Sequence, residues 1–77
     1  MTGVSVMQLL VNKKLATADK LWELIIAHPS CHEYGDPHRE EYLTLRANKI
    51  DADNQVYRQY MIECGFSPAD IERRFAH

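Results

Sequence analysis

The sequence predicts a small all-α protein, a bundle of four or five short helices forming one domain over residues 1–77. Apolar residues recur at spacings of three and four along most of the chain, which is the helical period. Signals for the start of a helix precede several of these stretches. The composition, with 45% hydrophobic residues and only three Gly and three Pro among 77 residues, is that of a globular protein. A chain of this length builds one core and buries roughly 60% of the surface of the unfolded chain.

Two helices are predicted before the first proline. The first covers about residues 5–13 with Ser5 as its cap, and a β-strand is the alternative for this segment. The second begins near Thr17, whose hydroxyl is able to accept a backbone N–H, and Asp19 suits its first turn. Pro29 ends this helix because it disfavours helical geometry at His28.

A loop over residues 29–36 separates these helices from the rest, because its turn-forming residues show no periodicity. Asp36 as cap and Pro37 at the first helical position predict the start of the next helix. The apolar pattern that follows, up to Cys64, fits one helix over 37–64. It also fits two segments, since Asp51 resembles a fresh N-terminal cap. We favour two segments meeting near residue 51.

The last helix is predicted over residues 68–76. Gly65 supplies a left-handed end to the preceding helix, and Ser67 with Pro68 forms a cap followed by a first-turn proline. The helices are expected to pack around one set of apolar and aromatic side chains. This predicted core consists of Leu10, Leu21, Trp22, Ile25, Leu43, Ile50, Tyr57, Met61, Ile71 and Phe75.

Charge and hydropathy exclude several classes of function. The net charge of −2 gives no general attraction to nucleic acid or to anionic membranes. No apolar stretch approaches the ~20 residues that span a bilayer, so no membrane association is expected. The N-terminus has no early positive charge, so we expect no secretory signal and a cytoplasmic location with both cysteines reduced.

The connecting loop and its flanks concentrate residues that ligate metals or react as nucleophiles. Zinc prefers imidazole and thiolate ligands, but the usual paired spacing is incomplete here, so the sequence predicts neither a metal site nor another cofactor. Cys31 beside His32 has the residue types of a thiol nucleophile, yet so short a chain leaves little room for a substrate pocket. We therefore predict a protein that is not an enzyme. The candidate metal ligands are His28, Cys31, His32 and His38.

Residues 57–76 carry a recognisable pattern. Gly65 is followed by the apolar Phe66 and the polar cap Ser67, and Ile71 lies six positions after the glycine. This pattern resembles the helix-turn-helix motif of DNA-binding proteins. The resemblance implies a helical hairpin that reads DNA, with Arg73 and Arg74 on its second helix, although the family has an apolar residue at the position of Arg74. Asp70 and Glu72 dilute the positive charge of that helix, so DNA binding is the alternative function rather than the first.

Tyrosines close to arginines are typical of protein interfaces. These tyrosines could equally lie at the margin of the core with their hydroxyls in water. The first functional hypothesis is a small non-catalytic interaction protein, an adaptor or inhibitor that regulates a protein partner or associates with itself. The alternative is a DNA-binding regulator that uses residues 57–76. The candidate partner-binding residues are Tyr34, Arg39, Tyr42, Arg58, Tyr60, Arg73 and Arg74.

Overall fold

The computed structural model describes residues 5–76. Over that range the protein has three α-helices, α1 (Val6–Ala27), α2 (Arg39–Glu63) and α3 (Pro68–Phe75). The all-α class is therefore confirmed. The prediction of four or five helices is wrong, because two predicted breaks do not occur. Residues 1–4, on which the argument against a secretory signal rested, and residue 77 lie outside the described range.

The first wrong break is the one at Thr17, which lies inside α1. Its hydroxyl Oγ1 donates to the carbonyl of Lys14 at 2.9 Å, so the side chain is satisfied within the helix and caps nothing. The cap at Ser5 is confirmed, since its side chain accepts the N–H of Gln8 at 3.1 Å. α1 ends just before Pro29, as predicted.

The second wrong break is the one near Asp51, because α2 is continuous there. The Asp51 carboxylate accepts a hydrogen bond from the side chain of Gln55 at 2.8 Å, one turn further along the helix surface. The start of α2 also lies later than predicted. Asp36 accepts the N–H of His38 at 2.8 Å and so caps a turn rather than the helix, which begins at Arg39.

The predicted signals around α3 are confirmed. Gly65 has φ +91°, a left-handed conformation that favours glycine. Ser67 accepts the N–H of Asp70 at 3.2 Å, and Pro68 occupies the first turn of the helix.

α1 and α2 pack as an antiparallel hairpin. The Lys13 ammonium donates to the Gln55 side-chain oxygen at 3.3 Å and fixes the register between the two helices. The more buried residues of each helix recur at alternating spacings of three and four, which places them on the stripe that faces the other helix. This seam contains Met7, Leu10, Lys14, Thr17, Leu21 and Leu24 of α1, His28 directly after it, and Tyr42, Leu45, Lys49, Ala52, Val56 and Gln59 of α2.

The three helices form a shallow layer rather than a closed bundle. Within the described chain α2 contacts both α1 and α3, which do not contact each other. The smallest dimension is 12 Å, against 45 and 39 Å along the other two axes. The radius of gyration is 15.7 Å, whereas a compact domain of this length has about 11.5 Å. The α2–α3 contact buries Met61 and Ile71.

The layer explains which predicted core residues are wrong. Each helix has neighbours only at its sides, so an apolar stripe that points out of the layer finds no partner. Trp22 is 59% exposed, and three other predicted core residues, Leu43, Ile50 and Tyr57, are exposed as well. Leu21, Met61 and Ile71 are buried as predicted, while Leu24 and Ala52 are buried although they were not in the predicted core.

Candidate functional site

The loop between α1 and α2 is held by its own hydrogen bonds. The N–H groups of Cys31, Glu33 and Asp36 donate to carbonyls three residues earlier, at 2.9, 2.9 and 3.2 Å. The Ser30 hydroxyl donates to the Asp36 carboxylate at 2.7 Å. A succession of closed turns therefore presents the loop side chains from a fixed backbone.

Asp36 is the organising residue of this loop. The backbone N–H of His38 and the hydroxyl of Ser30 both donate to its carboxylate, and these two hydrogen bonds hold the pKa of Asp36 below its ordinary value of 3.8. The carboxylate is therefore charged at neutral pH and joins the two ends of the loop.

The candidate metal ligands occupy three different environments. The rings of His28 and His38 stack with centroids 3.5 Å apart, Cys31 is completely buried, and the exposed His32 ring meets Tyr42 edge-on at 6.4 Å. Within residues 5–76, no three His, Cys, Asp or Glu side chains are placed to hold a metal ion. In this arrangement the histidines and Cys31 close the end of the hairpin.

Three of the predicted partner-binding residues lie together at this end. Tyr34 is 92% exposed, and the guanidinium carbon of Arg39 lies 4.2 Å from the centre of its ring. Arg39 also donates from Nη1 to the carbonyl of His32. We call His32, Tyr34, Arg39 and Tyr42 the loop cluster. It presents one aromatic ring to solvent with a cation fixed over one face.

The predicted arginines at the other end are engaged within the protein. Arg58 pairs with Glu72 and also lies over the ring of Phe75, 4.2 Å from its centre. Arg73 approaches Asp70 at 3.6 Å, which offsets part of its charge. These pairings show why the arginines of this region form no strongly basic surface.

Arg74 is the third predicted arginine at this end, and we call Arg58, Arg73 and Arg74 the α3 group. Its guanidinium lies 5.0 Å from the centre of the Phe66 ring. Phe66 also borders an apolar groove of about 360 Å³ between α2 and α3, together with Ile62 and Pro68. The sequence prediction did not include this groove. The signal for it was Ile62, an apolar residue outside the main stripe of α2.

Tyr60 stands apart from both groups, on the side of α2 where Met7 and Lys14 of α1 border the same shallow groove. A side-chain hydrogen bond with the thiol of Cys64, the residue after α2, raises the pKa of the Tyr60 hydroxyl above its usual value. The seven predicted contact residues therefore fall into the loop cluster, the α3 group and one separate tyrosine.

No protein-family model matches the chain, and neither the curated proteins nor the solved structures include a significant match to it. In the part of the chain that the structure describes, none of the helices combines the length and the apolarity required to cross a membrane.

Proposed function

We propose that this protein is a non-catalytic interaction protein that binds a protein partner through the loop cluster and regulates, inhibits or adapts that partner. The observation that carries the proposal is Tyr34, an almost fully exposed aromatic ring on a hydrogen-bonded loop. Tyrosine and arginine are enriched among the residues that dominate binding energy at protein interfaces.

Preorganisation favours the loop cluster as the contact. Ordering a loop and its side chains opposes association, and a loop already held in place avoids much of that cost. The Arg39 guanidinium restrains the Tyr34 ring, while its hydrogen bond to the His32 carbonyl ties the pair to the backbone. A partner would thus meet a ring whose position is already set.

The burial of Cys31 supports the non-catalytic interpretation. A nucleophilic thiol needs access to substrate, and this thiol has no exposed surface. Its neighbour His32 points to Tyr42 instead. The pair considered for thiol chemistry is therefore not presented to a substrate in this arrangement.

The test is capture of partners from a lysate of the source cells by the immobilised full chain, with and without nuclease. We expect one stoichiometric protein that survives nuclease treatment and is depleted at least about tenfold by Tyr34→Ala. Glu33→Ala, a change at the neighbouring exposed residue, is the matched control and should retain it. Equal capture by wild type and Tyr34→Ala would overturn the proposal.

A second candidate is DNA binding by residues 57–76, and the turn at Gly65 with the Ser67 cap favours it. The ion pairs of Arg58 and Arg73 argue against a large phosphate-binding surface. Salt-dependent binding to duplex DNA, lost in an Arg73→Ala/Arg74→Ala variant, is the result that would make this the better function.

A further inference from the structure

One side of the α1–α2 layer is apolar. The residue that follows each seam position lies 100° further around its helix. Because α1 and α2 are antiparallel, this rotation carries both sets of residues to the same side of the layer. Met7 and Lys14 of α1 share a groove with Tyr57 and Tyr60 of α2, in agreement with this geometry. We call this side the apolar face, and its residues are Val11, Leu15, Ala18, Trp22, Ile25, Leu43, Ile50, Tyr57 and Tyr60.

The opposite side of the layer is mainly polar, with the exposed Val6 and Leu9 at the start of α1 as exceptions. There Lys13 donates to Gln55, and Lys20, Glu23 and Glu41 border a second groove. The two sides of the hairpin therefore differ in the way expected of a helical layer that is covered on one side only. Exposure of the apolar side to water is unfavourable.

The open layer exposes more surface than a compact chain of the same mass. The accessible surface is 5906 Å², whereas a compact chain of this mass exposes about 4,800 Å². The excess of about 1,100 Å² compares with the roughly 800 Å² that each partner buries in a standard protein interface. A partner of the size and shape of this hairpin would be sufficient to cover the apolar face.

The order of residues along the apolar face is self-complementary. The Lys13–Gln55 contact places Ala18 and Ile50 at the same level of the antiparallel hairpin. A two-fold axis at that level, running across the helices, brings each of these residues opposite its own copy. The same axis sets Leu43 opposite Tyr57 of the second copy.

The charged residues of the apolar face are also arranged to match under this two-fold axis. Arg46 and Asp53 lie on either side of Ile50 on the α2 row of this face. The two-fold axis therefore places Arg46 of each copy beside Asp53 of the other. Arg46 is exposed and forms no ion pair with another described residue. Asp53 accepts from Lys49 through Oδ2 at 3.0 Å, while its Oδ1 is buried without a partner. Arg46 of each copy would thus meet Asp53 of the other at Oδ2, the oxygen that it would share with Lys49.

We infer that the apolar face binds a second copy of this chain, giving a two-fold symmetric four-helix bundle in which α1 packs antiparallel on α1 of the second copy and α2 on its α2. Four antiparallel helices close a core that one hairpin leaves open. Tyr34 lies outside this face, so dimer formation and partner binding are separate properties and fail separately.

The experiment is the solution mass of the full chain, measured by light scattering coupled to gel filtration at several concentrations. Wild type is expected at twice the chain mass of 8.9 kDa. Ile50→Glu sets two carboxylates against each other on the axis and should weaken association at least about tenfold. Thr44→Glu adds the same charge on the polar side of α2 and should leave the dimer intact. Circular dichroism of each variant checks that it keeps its helices.

A cysteine variant tests the symmetry itself. In a Cys64→Ser background, Ala18→Cys lies beside its own copy and should form a disulfide-linked dimer on oxidation, whereas Thr44→Cys should not. A monomer at all concentrations overturns the inference. A dimer that persists in Ile50→Glu, or one that crosslinks at Thr44→Cys and not at Ala18→Cys, overturns it as well.

Discussion

The rings of His28 and His38 stack with centroids 3.5 Å apart and planes 17° from parallel. His28 directly follows α1, and His38 directly precedes α2. The stack therefore joins the two helices at the point where the chain leaves one and enters the other.

Removing either ring should weaken the hairpin. We expect His38→Ala to lower the free energy of unfolding by about 1 kcal/mol, the usual contribution of a packed aromatic pair. Urea denaturation followed by circular dichroism measures this. Glu33→Ala removes an exposed side chain from the same loop and is the control. A loss in the control as large as that in His38→Ala would show that the stack is not the cause.

The two thiols should differ sharply in reactivity. Cys31 is 0% exposed and Cys64 is exposed, and an alkylating reagent needs an accessible sulfur. Mass spectrometry after brief treatment with iodoacetamide should find one adduct, at Cys64, in the folded protein and two in denaturant. Equal reaction of both cysteines under native conditions would contradict the packing of the loop.

Ala52 should tolerate no larger side chain. It is 1% exposed in the seam, where a larger residue has to displace α1. We expect Ala52→Leu to lower the free energy of unfolding by about 1–3 kcal/mol. Ala16→Leu makes the same change at an exposed position of α1 and should cost little. Thermal and urea unfolding of the two variants give the comparison.

Protonation of Asp36 should lower the stability of the folded protein at acid pH. Its pKa is lower in the folded protein than the ordinary value of 3.8, because the charged form accepts hydrogen bonds from the backbone of His38 and the hydroxyl of Ser30. The stability it contributes is therefore complete above 3.8 and is lost as the pH falls through the lower folded value.

The measurement for Asp36 is an NMR titration of its carboxyl carbon. The midpoint should lie below 3.8, and Ser30→Ala should move it upward by removing one donor. A midpoint of Asp36 that Ser30→Ala leaves unchanged would refute the assigned hydrogen bond.

The ends of the helices were predictable because their causes are local. Ser5, Ser67 and Gly65 act within one turn of the chain, and all three do what their residue type predicts. Thr17 and Asp51 mislead because a hydroxyl or carboxylate also finds a partner inside a helix, at Lys14 and Gln55. Whether such a residue caps or continues a helix depends on the packing beyond it.

The core was harder to predict, because α1 and α2 each carry two apolar stripes one residue apart. Leu21 and Trp22 are equally apolar neighbours, yet only Leu21 faces the other helix. Which stripe is buried follows from the arrangement of the helices, and the sequence period alone does not contain it. The stacking of Arg39 on Tyr34 also depends on the folded arrangement, so it could not be predicted from the sequence, although both residues were predicted as partner contacts.

The register of the hairpin also sets an order of folding. At the loop the contact between His28 and His38 spans few residues, while Lys13 and Gln55 are 42 residues apart in the chain. Closing a short stretch of chain loses less entropy than closing a long one. Contacts between α1 and α2 should therefore form first beside the loop and then successively toward the termini. The turns around Asp36 would then act first, as the nucleus on which both long helices align.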